Sequence, residues 1–442
     1  MSTGRPAPAR RGRQAAGHAR RAAGARHGRA AGRARRAAGA LALAAAAAAA
    51  GCGSVTGRPA TAEPAGPPAL SLTTGAEAAG ATWAAIPMGA ASGADEFWQL
   101  FALPAGGQHW SLQTPPDIAT NGAIVLAAPG AAAGTSRAGT APEMPASGEA
   151  AGKASGTGTS GGTLVAGIRP SLDLGFSPIT STADQGRQWT ASPPQPGLAN
   201  VPDALAVAPG GQLIALGLDG AVTASAGTGA AWSTLTTERT LATGPARDCG
   251  LTALTAAAYT PAGTPLLAGT CTRPGAVAVL GYTGGTWHQA GPALPAPVSG
   301  QRIRVLRLTR TSDGDVALLE AGSAPSLHLL AAWTGDGGRH WVLSPVLETT
   351  AAAVSASYGN GGLGVMLAGH QAVTLAGPAA SWRRLPALPG GQPVTLALPA
   401  GGDTDALAAH GGTLTVWRLA PGGSSWVRAQ TVTVPIQYGS SS

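Results

Sequence analysis

Seven of the eleven tryptophans in this chain recur at positions 110, 189, 232, 287, 341, 382 and 426, with intervals of 79, 43, 55, 54, 41 and 44 residues. A low-complexity stretch of 33 residues, Gly130 to Gly162, lies inside the one long interval, and removing it leaves 46. One large aromatic every 41–55 residues marks a chain assembled from copies of one supersecondary unit, each of which buries its apolar face only against its neighbours. Six of the seven tryptophans have glycine three positions earlier, at Gly107, Gly186, Gly229, Gly284, Gly338 and Gly423. With 67 glycines in 442 residues, chance alone gives about one such match in seven, so the spacing belongs to the repeat.

The units read as strands. Between the tryptophans the chain runs in Val/Leu/Ala/Thr segments of five to nine residues, punctuated by GG, DG, NG and PG turns, with no sustained helical period. Ala204 to Pro209, Gln212 to Leu218, Ala221 to Ala226 and Ala231 to Leu235 make four consecutive strands with tight turns between them. Four-stranded units in series predict an all-β fold, a β-propeller of about seven four-stranded blades over residues 79–442. Segment 130–162 interrupts it as a surface insertion. Early and late segments, Leu70 to Thr74 and Thr431 to Ile436, are the candidates for closing the ring, which would remove exposed sheet edges.

Two of the repeats carry more than Gly and Trp. Thr182, Asp184, Gly186 and Trp189 (TADQGRQW) and Thr334, Asp336, Gly338 and Trp341 (TGDGGRHW) both satisfy S/T-x-D-x-G-x-x-W. The motif resembles the Asp-box, or BNR repeat, of the propellers of sialidases and sortilin-like receptors. Its logic is local: hydroxyl and carboxylate satisfy the N–H groups of a tight hairpin, glycine supplies a positive φ, and the indole packs on a neighbouring sheet. In that family the box is a fastener on the rim, so the resemblance implies a fold and not a chemistry.

Charge is concentrated at the front. Residues 1–51 hold eleven arginines and no acidic residue; subtracting them from 28 Lys+Arg leaves 17 against 20 Asp+Glu, a net of −3. The basic balance of the whole chain therefore gives no reason for nucleic-acid binding, which rests on neutralising many phosphates. After the arginines come Ala37 to Ala50, almost purely Ala/Leu, then Gly51, Cys52 and Gly53. Fourteen residues as a helix rise about 21 Å, short of a bilayer core of about 30 Å, so the segment reads as a signal peptide. Ala49, Ala50, Gly51 and Cys52 resemble a bacterial lipobox, with Ala49 where leucine is usual. The resemblance implies lipidation at Cys52 and a place on the outer face of the bacterial cytoplasmic membrane; the alternative is a plain signal peptide with an incidental cysteine. Residues 52–78, rich in Pro, Gly, Thr and Ala, form the expected flexible tether.

Cys249 and Cys271 flank Thr260, Pro261, Ala262 and Gly263, a turn cluster. A hairpin folded there brings the two opposite each other, and an exported chain would join them as a disulfide; two buried thiols are the alternative.

Catalytic signals are sparse. A sialidase-type site needs an arginine cluster, an acid/base aspartate and a Tyr with a neighbouring Glu. Gly167, Ile168, Arg169 and Pro170 only approximate the Arg-Ile-Pro signature of that family, and Tyr358 with Glu320 or Glu238 is the pair this sequence offers. Histidines 109, 288, 328, 340, 370 and 410 stand singly, so neither a metal nor a cofactor is expected. Arg302, Arg304, Arg307 and Arg310 (RIRVLRLTR) form the one cationic cluster after the front segment. Strand alternation puts Arg302, Arg304 and Arg310 on one face, as candidate anion contacts or as a solvated blade edge, with Arg307 opposite. The expected function is a non-enzymatic surface module, tethered to the membrane through its lipid, for a protein, peptide or glycan; the alternative is a secreted glycoside hydrolase of sialidase type.

Overall fold

The computed structural model describes residues 75–78, 80–88, 97–116, 118, 120, 123–129, 162–169, 176–192, 195–311, 314–360, 362–389, 393–399 and 402–434. All lie in the compact unit Glu63–Ser442. Cys52, the arginine-rich front, the tether up to residue 74 and the insertion up to residue 161 lie outside the described residues.

Seven antiparallel four-stranded sheets follow one another along the chain, each pairing its strands in sequence order. Their first strands are Gly75–Ala78, Ala123–Ala127, Leu205–Val207, Leu251–Tyr259, Ile303–Thr311, Ala353–Gly359 and Pro393–Ala397, which open blades I to VII. From blade II to blade VII the first strands of successive blades neighbour one another, and Gly75–Ala78 lies beside the first strand of blade VI, so the first strands form the innermost ring of a seven-bladed β-propeller. Blade V gains a short fifth strand, Leu347–Thr349, and a two-stranded ribbon, Phe176–Ser177 with Gln195–Pro196, stands beside blade II.

Middle strands are sandwiched between blades, which explains why they read as unbroken apolar runs rather than as alternating ones. All residues from Gly314 to Ala321 in Gly314–Ser323 are buried. The odd side chains Ala317, Leu319 and Ala321 pack with Ala256, Ala258, Leu266 and Ala268 of blade IV. The even ones, Val316 and Leu318, pack with Ala356, Leu363 and Val365 of blade VI. Alanine on so many facing positions lets the sheets approach closely, and the apolar contacts continue around the ring to blades VII and I, where Leu407, Leu414 and Val416 meet Ala84, Ile86 and Phe101.

The seven repeating tryptophans mark one place. Each stands at the start of its blade's outermost strand or immediately before it. Four of them reach back to the preceding blade through the indole N–H. Trp341 donates to Ala290 O at 2.6 Å, Trp382 to Pro345 O at 2.9 Å and Trp426 to Pro386 O at 3.0 Å. Trp110 instead donates to the Asp405 carboxylate at 2.9 Å.

That last contact belongs to the ring closure, which differs from the expectation of a closing strand. Thr431 lies within the outermost strand of blade VII itself, Val427–Thr433, while Leu70 to Thr74 and Ile436 are outside the described residues. Side chains join blade VII to blade I instead. Gln430 accepts from Trp110 N at 2.7 Å and donates to Trp110 O at 2.8 Å. Arg418 holds the buried Asp405 with two hydrogen bonds, at 2.7 and 2.9 Å, and reaches Gln108 of blade I at 2.6 Å. A side-chain clasp suffices because each blade already owns four strands.

One short helix, Glu238–Thr243, joins blades III and IV. Thr237 caps it in extended conformation by accepting from Thr240 N, a role that its hydroxyl favours over a strand interior.

Candidate functional site

A propeller offers three places for function: the axis, the end bearing the turns within hairpins one-two and three-four, and the end bearing the two-three turns and the inter-blade connections. The inner ring around the axis carries a buried ion pair. Arg307, on the first strand of blade V, reaches Asp203 ahead of blade III through Nε to Oδ2 at 2.8 Å and Nη2 to Oδ1 at 2.7 Å. Its Nη1 donates to Ala356 O on the first strand of blade VI at 2.8 Å. Leu308 N completes the carboxylate's partners at 2.9 Å. Both side chains are less than a tenth exposed. This bidentate pair ties the inner strands of blades V and VI to the segment ahead of blade III, with its charge neutralised.

The arginine stripe expected from strand alternation does not form. A register shift between Val305 and Arg307 inserts one residue, breaks the alternation, and makes Arg307 the most buried of the four. Comparable shifts fall in the first strands of blades IV, VI and VII, so the bulge recurs in the second half of the ring. The strand is an edge of blade V, but the inner edge, set against the first strands of blades IV and VI. Arg304 is spent on the buried Glu320, Arg310 donates to Pro129 O of blade II at 2.5 Å, and Arg302 precedes the strand and is exposed.

Glu320 also accepts from Ala353 N at 3.4 Å, at the beginning of a strand on which Tyr358 lies five residues further on. Five residues of strand span about 16 Å, so Glu320 and Tyr358 do not meet. Glu238 accepts from Leu254 N at 3.0 Å, in another blade junction. Glu320 and Glu238 are thus each engaged in a blade junction. Ile168 and Gly167 sit in the second strand of blade II, paired with Ile124 and Val125, as sheet residues. Among the described residues no group of three His, Cys, Asp or Glu side chains is placed to hold a metal ion.

The two T-x-D-x-G-x-x-W segments form the third-to-fourth strand turns of blades II and V. In blade V the Thr334 hydroxyl donates to Asp336 Oδ1 at 2.9 Å and accepts from Gly338 N at 2.9 Å. The same carboxylate oxygen accepts from Arg339 N at 3.0 Å and His340 N at 2.9 Å. In blade II Thr182, Asp184, Gly186 and Gln188 repeat the arrangement. Gly186 and Gly338 take φ of 84° and 90°, where a β-carbon would be strained. The His340 N–H holds the Asp336 carboxyl well below the usual range, and the Gln188 N–H does the same for Asp184. Each turn leans on the preceding blade: a β-carbon on Gly338 would meet Ala290, and one on Gly186 would meet Gln113 and Trp83. Trp189 sets its edge against Trp83 at 6.0 Å. All eight residues are thus used in holding turns and blades.

Cys249 and Cys271 are joined, with Cα atoms 5.3 Å apart, and pin the connection after the short helix to the second strand of blade IV. Their hairpin has the expected turn, with Thr260 N donating to Thr264 O and Gly263 at φ 77°.

Open space lies at the connection end. One depression of about 680 Å³ is framed by Asn200, the turn Leu216–Ala221 of blade III and Glu238, Arg239 and Ala242 of the helix. It mixes charges with exposed apolar surface, since Leu218 is 51% exposed. A second, of about 500 Å³, is framed by Ser326 and His328 of blade V, Glu348 and Thr350 of the following connection, and Gln371 and Arg384 of blade VI. Arg384 is fixed there by Gln371 Oε1 at 3.2 Å and Glu348 O at 3.4 Å. Sequence reading named none of these wall residues except His328 and Glu238, because they come from separate blades and share no local motif.

No protein-family model and no curated protein sequence matches the chain. Solved structures do resemble it in fold. A Lactobacillus plantarum protein is 12% identical, with 80% of this chain and 97% of that one covered and a TM-score of 0.47. YCF48 from Cyanidioschyzon merolae is 11% identical, with 81% and 98% covered and a TM-score of 0.45. A structure of YCF48 bound to D1 peptide is 11% identical, with 76% and 91% covered and a TM-score of 0.39. At these values the likeness reaches no further than the architecture already read from the sheets.

Proposed function

We propose that this chain is a non-enzymatic binding module that receives a protein, peptide or glycan at its connection end. The observation that carries the reading is the contrast between the two regions where charge meets open space. At the inner ring Arg307 and Asp203 are buried and neutralise each other, whereas at the connection end Asp219, Arg239, Glu348 and Arg384 border open depressions. Loops carried on a rigid scaffold are where recognition concentrates, and the wider depression offers both apolar contact and fixed charge. The Asp-box reading of the two turns fits the same picture, as fasteners that make the scaffold rigid.

The module is proposed to work outside the cytoplasm, held on the outer face of the membrane by a lipid on Cys52. The arginine-rich front, the short Ala/Leu stretch and the disulfide between Cys249 and Cys271 support this, since disulfides persist in oxidising compartments. Substituting Cys52→Ala is expected to release the protein into the medium and to end acyl labelling; unchanged retention would defeat the anchor.

Binding is tested on peptide and glycan arrays with the intact exported chain and two variants, Asp219→Arg and Ser326→Trp, which alter the depressions from exposed positions. Loss of the array signal in either variant, with the fold retained by circular dichroism, is the expected result. Turnover of an aryl glycoside panel by the wild-type protein would overturn the reading.

A further inference from the structure

We propose that Arg310 and Asp315 form a pH-sensitive latch across the axis: Arg310 ties blade V to blade II while Asp315 is protonated, and turns onto Asp315 when that carboxyl ionises. The two residues are direct cross-strand partners at the turn end of blade V, so their side chains leave the same face as neighbours. Yet they are not joined. Arg310 extends away to Pro129 O of blade II, leaving its buried Nε without a partner. Asp315 is fully buried, and both of its carboxyl oxygens lack a hydrogen-bond partner among the described residues. A buried carboxylate in that state is costly, whereas a buried carboxylic acid costs far less.

The surroundings leave Arg310 as the group that decides. On the same strand Arg307 is committed to Asp203 and Ala356. On the third strand Asp315 faces Thr334, whose neighbour Asp336 is held within its own turn. The side chains that share its face, Ala317 and Leu319, pack on apolar residues of blade IV, and Tyr259 lies in the opposite core. Asp313 lies outside the described residues. Burial pushes Asp315 up to about 8, against the pull of Arg310, which places its ionisation within reach of ordinary conditions. When the proton leaves to solvent, a rotamer change brings the guanidinium and its orphaned Nε onto the new carboxylate. Pro129 O loses its donor, and the cross-axis tie between blades V and II opens. The latch stands on this cluster alone and is independent of which ligand the connection end receives.

Hydrogen exchange of the full chain, expressed as protection factors from about pH 6 to about pH 9, tests it. Protection of Ala123–Ala127, the strand that leads to Pro129, is expected to fall about fivefold or more with a single ionisation. Asp315→Asn should keep the tie closed throughout and abolish the dependence, while Asp315→Glu should restore a dependence on pH. Unchanged wild-type protection, or the same profile in Asp315→Asn, would overturn the latch. Should the Asn variant fail to fold, carboxyl-carbon NMR of the wild-type protein decides: an Asp315 signal titrating in the usual acidic range overturns it, and one titrating near 8 upholds it.

Discussion

Replacing Asp203 with alanine would leave the Arg307 guanidinium buried at the axis with Ala356 O as its one remaining partner. Two charge-assisted bonds, of 2.8 and 2.7 Å, and the bond from Leu308 N at 2.9 Å disappear together. Breaking one side of a buried pair costs about 3–5 kcal/mol, because the surviving charge is uncompensated. Arg307→Met should cost a similar amount for the mirror-image reason. The double variant, Asp203→Ala with Arg307→Met, removes both charges and orphans just the Leu308 N–H and the Ala356 carbonyl, at about 1–3 kcal/mol each at most. The cycle should therefore be strongly non-additive, with a coupling of about 2 kcal/mol or more. Urea unfolding with the disulfide intact, followed by tryptophan fluorescence, measures all four proteins. Single variants within about 0.5 kcal/mol of wild type, or additive losses, would refute the reasoning that this pair joins three blades.

Trp110→Phe should cost more than Trp382→Phe, about 1.5–3 against about 0.5–1.5 kcal/mol, because the first loses a bond to the buried Asp405 carboxylate and the second a bond to a carbonyl; equal losses in urea unfolding would contradict this. Asp336 is depressed in the folded state, so its contribution is present above the ordinary carboxylate value of 3.8 and is lost as pH falls below it; Asp336→Asn should flatten the acid limb of the stability curve. Asp315 works in the opposite sense. The folded protein keeps a proton that the unfolded chain releases above 3.8, so its stabilisation is complete below that value and is lost as pH rises through about 8, which Asp315→Asn should abolish in urea midpoints measured against pH. Cys249→Ser opens a loop of 22 residues and should cost about 3 kcal/mol by chain entropy, read as a lower urea midpoint that reducing agent does not lower further.

Much of the architecture was legible because it repeats. A tryptophan marks the entry to each outermost strand, with glycine three positions earlier in six of seven, so counting these seven counts the blades, while Trp83, Trp98, Trp333 and Trp417 lie in second or third strands. The T-x-D-x-G-x-x-W segments were legible because their hydrogen bonds close within a few residues. The axis was not. Asp203 and Arg307 are 104 residues apart, and no local pattern announces their pairing. The bulge before Arg307 was equally hidden: alternation is a rule for regular strands, and one inserted residue turned the supposed outlier of the arginine run into its most buried member. The depressions at the connection end escaped for a related reason. Residues 216–221 meet 237–239 through the pairing of the last two strands of blade III, and 199–200 join them from the connection ahead of it, so the wall comes from three separate stretches of sequence. The side-chain clasp at the ring closure was hidden too, because Gln430 and Asp405 meet Trp110 from about 300 residues away.

The reading of this chain as a binding module whose connection end receives the partner is tested most directly by mapping protection. Hydrogen exchange of the intact chain, with and without a peptide or glycan selected on the arrays, should show new protection at Leu216–Ala221 and Thr237–Ala242 or at Ser326–His328 and Glu348–Thr350. The turns at Asp184–Gln188 and Asp336–His340, on the opposite end, should be unchanged. Protection confined to those turns, or to the strands around Arg307, would contradict it.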